Sequence, residues 1–157
     1  TIVELLIVII IIGILAALVI VAYNGITARA NDASVQADLR SISQKTELFY
    51  AQYGYYPASA ADITSLGLKV SKPAYQSSGI SNNLLYCLSA TGSSYSVIAA
   101  SRSTNRYYIN NTQKTPITTT QSIGVSGSVA CPATGVSPVS AWVWIYNANA
   151  WLSAYTS

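Results

Sequence analysis

Two kinds of side chain in this sequence sit where their chemistry has to be accounted for. The first is a carboxylate. Glu4 lies in the stretch TIVELLIVIIIIGILAALVIVAYNG, which carries no charged or strongly polar group from Leu5 to Tyr23. An ionised carboxylate at membrane depth costs about 3 kcal/mol on insertion scales, so it either meets a partner or reaches back to the headgroups from a helix end. The second is a thiol pair, Cys87 and Cys131, with no C-x-x-C spacing. An even pair in an exported domain reads as one disulfide, and two free buried thiols are the alternative. Closing a loop of about 45 residues would constrain the unfolded chain by roughly 4 kcal/mol in the loop-entropy model.

Little else is equipped for catalysis. Charged residues make up 8% of the chain and histidine is absent, which removes most of the groups that general acid–base and metal chemistry use. No cofactor and no metal site are expected, and an anchored enzyme finds no supporting constellation. The acids Glu4, Asp32, Asp38, Glu47 and Asp62 all precede the basic stretch Lys69, Lys72, Arg102, Arg106 and Lys114. These cations are sparse, far from the clustered stripe of a nucleic-acid interface, so DNA is a weak candidate partner, with Arg102, Arg106 and Lys114 as the residues that would meet it. The aromatic tail, Trp142, Trp144, Tyr146, Trp151 and Tyr155, suits either core and sheet-edge packing or an exposed subunit contact. The triplet Asn110-Asn111-Thr112 matches a glycosylation acceptor, a pattern that also arises by chance.

These residues need elements to hold them. At 1.5 Å per residue the run from Leu5 to Tyr23 covers roughly 28 Å of helix, close to the thickness of a bilayer core. It lacks the basic start and cleavage site of a signal peptide and is expected in the mature chain, whose first residue reads as a trimmed end. Beyond it Val35, Leu39, Ile42, Thr46, Phe49 and Tyr53 recur at four- and three-residue spacings, one apolar stripe on a continuing helix. Arg29, Asp32, Gln36, Arg40, Ser43, Lys45 and Glu47 fill the remaining circumference. Gly54 and Pro57 stop the helix near Tyr53. A Ser/Ala/Gly-rich connection with one helical turn is expected over 58–83. LLYCLSA, YSVIAAS and RYYIN then read as a three-stranded antiparallel meander, and Ala141 to Tyr146 as a further strand that Asn147 to Asn149 could turn back.

With those elements in place, TIVELLIVIIIIGILAALVIVAY closely resembles the N-terminal region of type IV pilins and pseudopilins. The segment FYAQYGYYP, Phe49 to Pro57, is similar to the end of the first helix in many members. The resemblance implies an α+β fold, a long N-terminal helix packed on an antiparallel sheet head, with the disulfide bounding a C-terminal region. It divides the chain into an apolar membrane and filament-core half, 1–25, and a head, 26–157, that includes the amphipathic half-helix 26–53. It implies that Glu4 pairs with the N-terminal amine of a neighbouring subunit, either that of Thr1 or that of a Phe preceding it, while Gly13 with Ala16 and Ala17 forms a small-residue patch. The family's mature chain carries an N-methylated Phe one place ahead of the residue that Thr1 matches, and usually a proline where this chain has Val21.

The function so implied is that of a structural subunit. It would be inserted in the cytoplasmic membrane before assembly, then polymerised into an extracellular filament of identical copies serving adhesion or motility. A prepilin peptidase and a pilus assembly machinery are its implied partners. A minor pseudopilin of a secretion or DNA-uptake system, and a monomeric membrane-anchored binding module, are the competing classes.

Overall fold

The computed structural model describes residues 1–76, 83–121, 123, 127–147 and 150–154. A single helix, α1 (Ile2–Tyr53), begins the chain and at 1.5 Å per residue is about 78 Å long. It passes without interruption through Asn24 and Gly25 and ends where expected, as Gly54 takes the left-handed conformation at φ 79° and donates its N–H to the Tyr50 carbonyl at 2.8 Å. The apolar residues from Ile2 to Ile26 whose side chains are described are all exposed. Burial starts at Val35 and continues through Leu39, Ile42, Thr46 and Phe49, the stripe read from the sequence. Tyr53 departs from that reading. The last residue of α1, it is half exposed and lies at a tilt against Phe49 and Tyr55, with ring centroids at 4.5 and 6.3 Å.

A short helix, α2 (Ala60–Ser65), follows, fixed by a reciprocal cap. Ser59 Oγ accepts from the Asp62 N–H at 3.1 Å and the Asp62 carboxylate accepts from the Ser59 N–H at 3.0 Å. The strands are β1 (Leu84–Ser89), β2 (Tyr95–Ala100), β3 (Arg106–Asn110), β4 (Ile117–Thr118), β5 (Val139–Asn147) and β6 (Ala150–Ala154). They form one antiparallel sheet in the order β4-β3-β2-β1-β5-β6. The meander and the late strand pair agree with the sequence reading. The two-residue edge strand β4, in a Thr-rich stretch, is too short to carry a periodic signal and is not expected from the sequence.

β1 and β2 are buried along their whole length because the sheet is covered on both faces. Toward α1 point Leu84, Tyr86 and Leu88, then Tyr95, Val97 and Ala99, then Tyr107 and Ile109, packed with Val35, Leu39 and Ile42. Leu85, Cys87, Ile98 and Ala100 point the other way and meet Ile123, Ala130, Cys131 and Val136. That second cover contains the short helix α3 (Gly127–Ala130) and is tied to the sheet by the Cys87–Cys131 disulfide. Two further ties are polar: the Ser96 and Thr134 hydroxyls lie 2.7 Å apart, and Asn110 Nδ2 donates to the Thr134 carbonyl at 2.8 Å. Asn110, first residue of the glycosylation triplet, thus has a buried, internally bonded side chain.

The α1-facing layer is rich in phenols. Tyr86 and Tyr95 stack at 5.9 Å, and Tyr56 lies 4.8 Å from Tyr95. Burial pushes the Tyr75, Tyr86 and Tyr95 hydroxyls well above their ordinary value, and the Asp38 carboxylate adds to this at Tyr75. An unfolded chain gives up these protons near pH 10 while the folded chain keeps them, so stability falls as pH rises above about 10, by up to about 1.4 kcal/mol per pH unit for each phenol. In a spectrophotometric titration the exposed tyrosines should ionise first, and these three only with cooperative loss of near-ultraviolet dichroism. Smooth ionisation of all 12 tyrosines in a still-folded protein would contradict this packing. The disulfide is tested separately: changing both Cys87 and Cys131 to Ser should cost roughly 4 kcal/mol and make the head protease-sensitive at temperatures where the parent resists.

Candidate assembly interface

Three residues were singled out for assembly, and all lie on the exposed half of α1. The Thr1 nitrogen is 2.5 Å from Glu4 Oε2, and both groups are exposed. Gly13 lies nine residues beyond Glu4, about 13 Å along the axis and on the opposite side of the helix, so the two do not form one contact point. A Cβ built on Gly13 would meet nothing within 4 Å. By length and composition α1 can cross a membrane, with a mean hydropathy of 3.6 over its apolar window. Contiguous apolar surface of this extent marks an interaction site with lipid or with other chains.

The other half of α1 is clamped to the head through its carboxylates. Asp38 accepts from the Ser71 N–H at 2.7 Å, from Ser71 Oγ at 3.3 Å and from the buried Tyr75 hydroxyl at 3.0 Å. Asp32 accepts from Ser103 Oγ and from Asn105 Nδ2, the latter at 2.8 Å. Burial pushes the Asp32 carboxyl up, but hydrogen bonds from Ser101, Ser103, Asn105 and Tyr107 outweigh this and leave it below its usual value. Glu47 accepts from the Tyr95 hydroxyl at 3.1 Å and pairs with Lys114, while Ser43 Oγ lies 2.8 Å from the same hydroxyl. On the other flank, Lys45 Nζ donates to the Leu66 and Gly67 carbonyls at 2.9 and 2.6 Å.

From the sequence alone Asp32, Ser43, Lys45 and Glu47 belong simply to the polar circumference, and Asp38 carries no assigned role. At 100° per residue Asp32 and Asp38 fall about 60° to either side of the buried stripe, the flank where a helix rolls onto its sheet. That angle was the available signal. The turn supplying the Asp32 partners has its own cost, since Thr104 takes φ 77°, a conformation that a β-branched residue adopts rarely.

The remaining candidates do not gather into one site. Lys114 neutralises Glu47 beside α1 and sits 5.8 Å over the Tyr95 ring. Arg106 opens β3, and Lys114 lies beyond that strand's far end, at least about 13 Å away along the sheet. Arg102 is exposed in the β2–β3 turn. In backbone register Trp142 pairs with Cys87 and Trp144 with Leu85, while Trp151 lies in β6. Their side chains, and Tyr155 altogether, lie outside the described residues, so the choice between core and surface contact does too. Among the described residues no three His, Cys, Asp or Glu side chains converge as a metal site would require.

An exposed apolar half-helix with a carboxylate at its start thus continues into a second half bonded to an antiparallel, disulfide-tied head. No family model matches the chain. Among curated proteins it is similar to the type IV wide pilus major component PilA4 of Thermus thermophilus, at 33% identity over 132 residues, covering 84% of this chain and 95% of that one. With the helix-on-sheet fold and that similarity together, this chain belongs to the type IV pilin family.

Proposed function

We propose that the chain is a structural subunit that polymerises into an extracellular type IV pilus-like filament of identical copies, serving adhesion or motility. Its role is architectural and needs no cofactor. The observation that carries the reading is the exposure of every described large apolar side chain from Ile2 to Ile26 on a helix whose other half is bonded to its own head. The similarity to a pilus major component supports it. Residues 1–25 act as the membrane and filament-core segment, and 26–157 as the head.

The energetics favour two successive surroundings. Before assembly the apolar half lies in the cytoplasmic membrane, where chain length and hydropathy suit it and where Glu4 is an uncompensated cost. In the filament, identical apolar halves bury one another, and the Glu4 carboxylate takes the cation of a neighbouring chain. The carboxylate thereby sets axial register, because an unpaired charge in an apolar bundle costs several kcal/mol. A prepilin peptidase and an assembly machinery act before and during this transfer. The head faces outward and carries whatever surface chemistry the filament presents.

Two outcomes test this. Glu4→Ala should insert and fold normally, judged by membrane fractionation and an intact disulfide, yet yield few or no fibres in negative-stain images. Normal fibre yield would remove Glu4 from the mechanism. The second concerns α1, where Val21 stands at the position of the family's usual proline. Proline in a helix interior costs about 3 kcal/mol, so its absence removes the main local reason to unwind, and freed backbone groups among Leu, Ile and Val would find no partners. A filament map should therefore show helix from about Val3 to Tyr53, with any bend at Asn24-Gly25. Extended backbone between Gly13 and Val21 would mean that lattice packing overrides local preference.

A further inference from the structure

A polar groove of about 680 Å³ lies at the β3–β4 end of the sheet, lined by Arg106, Tyr108, Thr118, Thr120, Gln121 and Ala133 among others. Strand alternation explains its placement. Tyr107 and Ile109 point into the α1-facing core, so Arg106 and Tyr108 point to the opposite face, where Tyr108 packs against the disulfide-tied cover. The groove floor is fixed by the backbone: the Thr119 N–H donates to the Arg106 carbonyl at 2.9 Å, and Thr119 Oγ1 accepts from the Gln121 N–H at 3.2 Å. No acidic residue lines it. Arg106 is half-buried along the groove, and its Nε–H is buried without an acceptor.

From this we infer that the groove is a binding site for an acidic saccharide, with a uronate carboxylate on Arg106. The lining matches that chemistry in three respects. Threonine hydroxyls and the Gln121 amide both donate and accept, as the hydroxyls of a sugar ring require. The Tyr108 ring supplies a partly buried apolar wall for the C–H face of the ring. A single arginine suits a polymer bearing one carboxylate on each charged sugar, whereas a nucleic-acid backbone, with a phosphate at every nucleotide, calls for a run of cations that this groove lacks. The volume lies in the range of small-ligand sites. The site rests on the filament reading only for its access: α1 covers the other face of the sheet, so this face stays outward when α1 enters a filament core. Repeated along a filament, even a weak site would hold a polysaccharide by many simultaneous contacts.

The test uses the full-length protein in two forms, detergent-solubilised subunit and purified filament, with a fluorescent alginate hexasaccharide as probe. Neutral cellohexaose and duplex DNA serve as comparisons. Direct titration of the solubilised subunit reads the groove alone; co-sedimentation reads its access in the filament, and sedimentation of the filament without probe independently reads assembly. Alginate should bind both forms in preference to cellohexaose and DNA. R106Q should weaken binding by about tenfold, the loss expected for one charge-assisted pair, while R29Q, which removes an exposed cation from α1, should leave it unchanged. Equal losses in R106Q and R29Q, stronger binding of DNA, or no binding by the solubilised subunit would overturn the site. Binding by the subunit but not by the filament would overturn its outward placement.

Discussion

One helix in this chain has to satisfy two surroundings without a break between them. Its first half exposes hydrocarbon on every side, and its second half is held to a polar, water-facing head. Because α1 is continuous, the head cannot choose its orientation independently of the apolar half: whatever holds residues 2–26 also sets where the sheet points. The docking of the second half therefore has to be specific in rotation as well as in position. A stripe of Val, Leu and Ile would tolerate some roll about the helix axis. The carboxylates on the two flanks do not, because Asp38 bonds on one side of the stripe and Asp32 and Glu47 on the other. Burial supplies most of the attraction, and the hydrogen bonds supply the angle.

The sheet meets a different constraint. Its central strand, β1, pairs with β2 a few residues away and with β5 more than fifty residues later. That long closure is entropically costly, and Cys87 sits in the middle of the strand that must wait for it. Linking Cys87 to Cys131 brings the chain back to β1 shortly before β5 begins, so the bridge shortens the search as well as pinning the second cover. The Ser96–Thr134 and Asn110–Thr134 contacts repeat the tie on the neighbouring strands, which is why both faces of β1 and β2 can be buried in so small a head.

Much of this architecture was legible in the sequence because it is periodic or local. The stripe from Val35 to Phe49, the stop at Gly54 and the three-stranded meander each announce themselves within one continuous stretch of the chain. The clamp was not legible, for a physical reason. A carboxylate on the flank of a stripe looks like any solvated acid until its partners arrive, and those partners lie 33 residues away for Asp38 and 71 for Asp32. The same limit misplaced Tyr53, whose spacing fits the stripe although its side chain stays half exposed at the end of α1, and hid β4, which exists only because β3 offers it an edge. Of the assembly residues, Glu4 was conspicuous by its surroundings. The groove at Arg106 gave no sequence signal, since it is assembled from two strands and the disulfide-tied cover.

The clamp also has a mechanical meaning. Asp32, Asp38 and Glu47 span fifteen residues of α1, about 22 Å; Asp32 and Glu47 meet opposite ends of β2, at the Ser103–Asn105 turn and at Tyr95, while Asp38 bonds to the connecting segment at Ser71 and Tyr75. A force along the helix axis loads these contacts in shear and nearly together, whereas a force across the axis would open them one after another. In the proposed filament, traction along the helices would therefore load each subunit in the direction that engages these contacts together. Should a head yield nonetheless, the Cys87–Cys131 bridge keeps the 44-residue span between its ends from paying out, withholding about 150 Å of slack that would otherwise lengthen the fibre.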